Sequence, residues 1–315
     1  MSLLDRKLIL VLGKGGVGRS TMAASIASAC ARRGRKTLLY QSNAADRVGE
    51  YFGRPALGTS ASELAPGLWG INTSPAAALR EYGLMILKFQ KVYELIFENR
   101  ITRAFLRAIP GLDDYAVLGK AWFHTTEEHR GRATWDTIVF DMPASGHSLS
   151  MLRIPWVILD TVPEGPLTRD ARAVQALLRD PARTAAIVVT LAEEMPTAEA
   201  RELTGKLAAL GIQPQRVLVN QVATDHLPVG SPGARVLAAL ESAVPPPGPP
   251  LDAIAAQAGM ARARRALNQH YLTEIALTIP APSHAVPYLA RTRLGPAEIA
   301  TLAKLVEAAM ASTKA

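Results

Sequence analysis

Gly13, Lys14, Gly15, Gly16, Val17, Gly18, Arg19, Ser20 and Thr21 follow one another directly behind the apolar run Leu8 to Leu12. Glycines at this spacing let consecutive backbone N–H groups turn inward on phosphate oxygens. The N-terminus of a following helix adds the positive end of its dipole. Ser20 supplies the kind of hydroxyl that a phosphate-bound Mg²⁺ takes. The usual pattern is Gly, four residues, then Gly-Lys-Ser/Thr, and here Arg19 stands at the lysine position. Lysine is a compact charge able to follow a phosphoryl group, whereas arginine is planar, forked and different in reach. The loop therefore predicts binding of a nucleoside triphosphate and leaves hydrolysis as a separate question. Asp141 is the second chemical landmark. It ends the apolar run 135–141, where phosphate-loop proteins place a magnesium-ordering carboxylate, and it opens Asp141-Met142-Pro143-Ala144-Ser145-Gly146-His147. Proline and glycine there shape a loop able to sense a terminal phosphate.

These groups need a scaffold, and the surrounding pattern supplies one. A helix is expected over 22–31, rich in helix formers and closed by Gly34, then a strand over 36–40. Further strands are expected at 135–141, 185–190, 216–220 and 275–279, with a crossover helix at 197–210 ending at Gly211. Near-continuous apolar strands suit a parallel sheet covered on both faces. The expected fold is α/β: a doubly wound, mostly parallel sheet with a helical insertion, binding ligands at the carboxyl ends of its strands. We expect one domain over 1–315, a helical insertion within 56–130, a Pro/Gly-rich connection over 227–250 containing a stiff polyproline spacer, and a C-terminal helix at 297–310.

At 315 residues, 49% hydrophobic and 20% charged, the chain can bury a large core. It has no apolar run of the roughly 18 residues a membrane span needs, so no stable membrane insertion is expected. A single cysteine, Cys30, leaves no internal disulfide and no paired-cysteine metal clasp, and the cytoplasm is the expected compartment. A net charge of +8 favours acidic partners. Aromatics make up only 5% and do not alternate with basic residues, so no specific nucleic-acid partner is expected. Arg100, Arg103 and Arg107, and Arg262, Arg264 and Arg265, read as solvated helix faces. His124 and His129 read as solvated, and His147 as part of the loop opened by Asp141.

Lys14 as second residue of Gly-Lys-Gly-Gly-Val-Gly, together with the loop 141–147, resembles the arsenite-pump and tail-anchored-protein-targeting ATPases. These form one branch of the signal-recognition/partition class. Segments 77–82, 110–114 and 190–196, the pair Asn220-Gln221 and the stretch Val286-Pro287-Tyr288-Leu289 agree with it. The resemblance implies ATP or ADP with Mg²⁺ as cofactors. It implies that Gly15 to Ser20 hold the chain's own phosphates and that Ser20 ligates the metal. Asp141 would order a metal-bound water, Asn220 would meet the adenine edge, and the loop near Pro287 would close over the base. Lys14 would reach across a dimer interface to a partner's phosphates, the partner being a homologous ATPase subunit or a second copy. In the targeting members the helical stretch corresponding to 76–109 lines a groove for a client's hydrophobic segment; here its apolar residues read first as core or dimer contact, with the client groove as the alternative.

Two departures bear on catalysis. The branch leads its second strand into Asp-Pro-Ala-His-Ser, whose Asp activates the attacking water, and Asn43 falls on that Asp. An amide can hold a water but cannot take its proton at neutral pH. Loss of a positioned base removes about 10²–10⁴-fold of rate. Arg19 touches the same step. A third departure is the absence of the Cys-x-x-Cys pair through which some members join subunits, so no zinc is expected. The reading is a nucleotide-binding member, weak or inactive in hydrolysis, working as a dimer with a homologous ATPase. The alternatives are an active homodimeric ATPase and a partition- or polarity-type nucleotide switch.

Overall fold

The computed structural model describes residues 2–42, 47–87, 112–225, 228–243 and 248–311. Asn43 lies outside the described residues, as do Arg100, Arg103, Arg107 and most of the apolar stretch 76–109.

The strands are β1 (Leu8–Gly13), β2 (Thr37–Ser42), β3 (Ser62–Ala65), β4 (Leu68–Thr73), β5 (Glu128–His129), β6 (Arg132–Ala133), β7 (Thr137–Asp141), β8 (Thr184–Leu191), β9 (Pro214–Val222) and β10 (Ser283–Pro287). Eight of them form one sheet in the order β10-β9-β8-β1-β7-β2-β4-β3. All neighbours run parallel except the edge strand β3, which is antiparallel to β4. The helices are α1 (Arg19–Arg32), α2 (Val48–Tyr51), α3 (Pro75–Leu87), α4 (Leu112–Thr126), α5 (Ser145–Thr161), α6 (Pro166–Arg179), α7 (Glu194–Ala209), α8 (Pro232–Glu241), α9 (Leu251–Thr278) and α10 (Pro296–Met310).

Side chains along a strand point alternately to its two faces, and both faces here are apolar. Leu8, Leu10, Leu12, Leu38, Tyr40, Ile138, Phe140, Val188 and Val217 join one buried cluster, with residues of α4, α5, α6, α7 and α9. Ile9, Val11, Leu39, Val139, Ile187 and Leu218 join the other, with α1 and α10. This is the doubly wound sheet expected. Between β1 and β8 the strand order changes direction, and at such a point the loops at the carboxyl ends diverge and leave a crevice.

One expected strand is a helix. Residues 275–278 form the end of α9 and Ile279 caps it, with Ile275 buried and Leu277 81% exposed. A five-residue apolar run does not by itself separate helix from strand. The helix-forming residues before it carry the helix through to Thr278, and Pro280 and Pro282 then end it. The edge strand follows at 283–287, where Pro287 is tolerated because the outer side of β10 has no partner strand.

Within 56–130 the first described elements are β3 and β4 of the main sheet, followed by α3 and α4. Within 227–250 the chain carries α8, and residues 244–247 of the proline run lie outside the described residues. His129 is exposed, but His124 is turned inward, with Nδ1 2.8 Å from Glu127 Oε2 and its ring packed near Tyr40. Arg262 and Arg264 are half-exposed but not simply solvated. Arg262 pairs with Glu241 of α8 at 2.7 Å and Arg264 with Glu193 at 2.5 Å, while Arg265 donates to Ala223 O at 2.9 Å. The spacing of charges did not show these remote acceptors.

Candidate functional site

Gly13 ends β1 where β8 runs close beside it, and a Cβ there would lie 2.3 Å from Val189 O. The chain then turns through Lys14, Gly15, Gly16, Val17 and Gly18 into α1. Gly18 caps that helix in the left-handed region, at φ +89°. Asn220, near the end of β9, clasps this turn: its Nδ2 donates to Val17 O at 2.9 Å. A Cβ on Gly18 would come within 2.2 Å of the same nitrogen, so only glycine leaves room for the clasp.

Arg19 and Ser20 open α1 and both turn toward the end of β7. Arg19 Nη1 donates to Met142 O, the carbonyl just after Asp141. Burial pulls the guanidinium's proton affinity down and the nearby Asp141 charge opposes this, yet arginine stays charged in proteins. Ser20 hydrogen-bonds the Asp141 carboxylate, as does Gln41 on β2, whose Nε2 lies 2.8 Å from Asp141 Oδ2. Burial pushes the Asp141 carboxyl above the usual carboxylate range, while the Ser20 and Gln41 hydrogen bonds and the Arg19 charge hold it down. Gln41 is 1% exposed, and its Oε1 has no partner among the described residues.

Lys14 lies on the rim and pairs with Glu199 of α7 in its own chain, Nζ to Oε1 2.6 Å, each side chain about one-third exposed at 34% and 32%. His147, in the first turn of α5, sets Nε2 2.9 Å from Asp114 Oδ1 of α4. Thr21 Oγ1 is 3.1 Å from the Tyr51 hydroxyl of α2.

Beside the glycine turn opens a cleft of about 170 Å³ lined by Gly18, Thr21, Asn220, Gln221, Pro287 and Arg291 among others. Pro287 closes one side, and Tyr288 N–H donates to Val222 O at 2.9 Å, which fastens the following loop to β9. The structure thus brings together Gly13 to Thr21, Asp141, Asn220 and Pro287, with Lys14 turned aside on Glu199. Gln41, Glu199 and Arg291 were not singled out from the sequence. Of these only Gln41 carried a signal, a polar residue inside a buried strand.

The donor set suits Mg²⁺, which takes one or two protein oxygens beside phosphate and keeps several waters. Ser20 offers a hydroxyl, buried Asp141 a carboxylate, and Gln41 an unpaired buried acceptor. Among the described residues no group of three or more His, Cys, Asp or Glu converges as a metal cage, so phosphate and water would have to complete such a site.

A family model described as anion-transporting ATPase matches residues 6–164 and 166–228. The chain belongs to the anion-transporting ATPase family. It is 29% identical over 228 residues to ATPase BagA of Mycobacterium tuberculosis, covering 70% of this chain and 66% of that protein. It is 29% identical over 234 residues to the arsenical pump-driving ATPase of Escherichia coli, covering 67% of this chain and 38% of that protein. With ATPase ARSA1 of Chlamydomonas reinhardtii the identity is 25% over 280 residues, 69% of this chain and 35% of that one. The chain therefore spans just under two thirds of the first of these relatives and little more than a third of the other two. The family match includes the glycine turn, Asp141 and Asn220 and ends before β10. No helix of the described residues is long and apolar enough to cross a membrane.

Proposed function

We propose that this family member binds ATP and ADP with Mg²⁺ in the crevice over β1, hydrolyses ATP weakly or not at all, and acts as half of a dimer with a homologous ATPase. The observation that carries the binding half is the clasp of Asn220 on Val17 O. It presents a pre-shaped turn of backbone N–H groups beside the cleft of about 170 Å³. Bound Mg²⁺ would neutralise developing phosphate charge, with Ser20 and Asp141 as the residues that hold it and its waters. Ser20 would supply an oxygen ligand and Asp141 would accept hydrogen bonds from the metal's waters, while Gln41 holds the carboxylate by its hydrogen bond. Asn220 and the loop at Pro287 hold the base.

Weak turnover is supported by Arg19. Its guanidinium is engaged on Met142 O, where a lysine would be free to follow a transferring phosphoryl group. Asn43 adds an amide where a general base would stand. Lys14 supports the dimer: it sits on the rim, and its only partner among the described residues is a carboxylate about one-third exposed. An exposed pair of this kind contributes about 0.2–1 kcal/mol, less than a charge-assisted bond to phosphate. A hydrophobic client segment, in this reading, would meet the apolar stretch 76–109, of which 88–109 lie outside the described residues.

Calorimetry with MgADP and a phosphate-release assay on the purified chain separate the two halves. Micromolar or tighter binding with turnover far below about 10 s⁻¹, the median for enzymes, is the expected result. No heat of binding refutes the nucleotide site, and turnover near that median refutes the weak-hydrolysis reading.

A further inference from the structure

Beyond the glycines, only two described residues have positive φ: Arg130 at +52° and Gln221 at +57°. Arg130 has an ordinary cause. Arg130-Gly131 is the two-residue turn between β5 and β6, which asks for positive φ at both positions. Gln221 lies inside β9, where no turn demands it. A side chain held in the left-handed region by its surroundings is characteristic of ligand sites.

The cause lies in the pairing of β9 with β10. Ala285 pairs with Val219 and Pro287 with Val222, so two residues, Asn220 and Gln221, oppose one, Val286. This is a β-bulge, and its effect is to re-aim side chains. In a regular strand Asn220 and Gln221 would point to opposite faces of the sheet. Here both line the cleft beside Gly18 and Pro287.

Their amides are in different situations. One N–H of the Asn220 amide is engaged on Val17 O, which fixes the amide's orientation and leaves its oxygen and second N–H to meet a ligand. No hydrogen bond of the Gln221 amide to another described residue is present, so it keeps a donor and an acceptor. An adenine edge asks for an acceptor opposite its amino group and a donor opposite a ring nitrogen. The Asn220 amide is fixed in orientation by its clasp on Val17 O, whereas the Gln221 amide is free to turn toward the ring nitrogen.

We propose that Gln221 is a specificity-determining residue that donates a hydrogen bond from its side-chain amide to a ring nitrogen of the purine base, completing base recognition that Asn220 begins. This rests on the proposed nucleotide site and assigns the second half of its base recognition. The bulge and the left-handed backbone exist to aim this amide.

The test uses the full chain with Gln221→Gly and Gln221→Asn, titrated calorimetrically with MgADP and, separately, with magnesium pyrophosphate, which has no base. Glycine suits positive φ, so Gln221→Gly is expected to melt at the same or a higher temperature while binding MgADP about tenfold more weakly, the equivalent of one lost hydrogen bond of about 1.4 kcal/mol. Its pyrophosphate affinity stays within twofold of the wild type. Gln221→Asn tolerates the backbone and keeps a shorter amide, and falls between the two. It also serves as the test if the glycine variant fails to fold. MgADP affinity within twofold of wild type in both variants overturns the proposal, as does equal weakening for pyrophosphate and MgADP. If the wild type binds pyrophosphate but not MgADP, base recognition itself is wrong. If it binds neither, the nucleotide site falls and the reading of Gln221 falls with it.

Discussion

Replacing Glu199 with Gln removes the charge that holds Lys14 against its own subunit. The Lys14–Glu199 pair is 2.6 Å long with both side chains about one-third exposed, so solvent screens it strongly. Such pairs contribute about 0.2–1 kcal/mol. If Lys14 must leave Glu199 to reach a partner's phosphate, that amount opposes association once per subunit. Its removal should tighten the ATP-bound dimer by about 1.4–5-fold for one subunit, or about 2–30-fold when both subunits of a symmetric dimer change. Sedimentation equilibrium with saturating MgATP measures this directly, on this chain alone and mixed with a candidate homologous ATPase. Lys14→Ala should weaken the same dimer, and in that background Glu199→Gln should have no further effect, since the two substitutions remove one interaction. A dimer constant unmoved by Glu199→Gln, or a Glu199 effect that persists without Lys14, refutes the idea that this pair competes with association.

Arg19→Lys combined with Asn43→Asp should raise ATP turnover at least about tenfold, with small gains from either alone because both groups act in one step; a phosphate-release assay reads this, and an unchanged rate in a folded, nucleotide-binding double variant places the defect elsewhere. Gly18→Ala puts a methyl group 2.2 Å from Asn220 Nδ2 at φ +89°, so it should lower the melting temperature and weaken MgADP at least about tenfold by calorimetry. Wild-type affinity in that variant would mean that the clasp does not shape the turn. His124 is held below its ordinary value of 6.5 by burial, outweighing the Glu127 hydrogen bond. The unfolded chain therefore takes up a proton first as pH falls, and stability should drop from pH 6.5 downward until the folded value is passed. Denaturant melts of His124→Gln between pH 7 and pH 5 should show a shallower loss than wild type, and parallel curves would assign the acid sensitivity to other groups.

Much of the scaffold is written in local pattern. Leu8 to Leu12, Ile138 to Phe140 and Ala185 to Val189 are apolar on both alternating faces, which suits strands in the middle of a covered sheet. The glycine turn is legible from its spacing, although the contacts that require Gly13 and Gly18, with Val189 of β8 and Asn220 of β9, are long-range. Residues 275–279 show the limit, because an apolar run of five fits either periodicity and the decision came from helix formers and prolines on its flanks. The site's finer controls are long-range and have no local signature. Glu199 meets Lys14 across 185 positions, Arg19 meets Met142 across 123 and Asn220 meets Val17 across 203. The bulge at Asn220 and Gln221 depends on a register between β9 and β10 that neither strand states alone. The sequence could therefore place the phosphate-binding machinery on a parallel sheet and mark Arg19 and Asn43 as departures. That Arg19 is turned onto the carbonyl following Asp141, away from the turn it opens, is a property of the folded chain. It makes the arginine a tether on the segment that follows Asp141, which supports the proposed weak turnover more specifically than the arginine's shape alone.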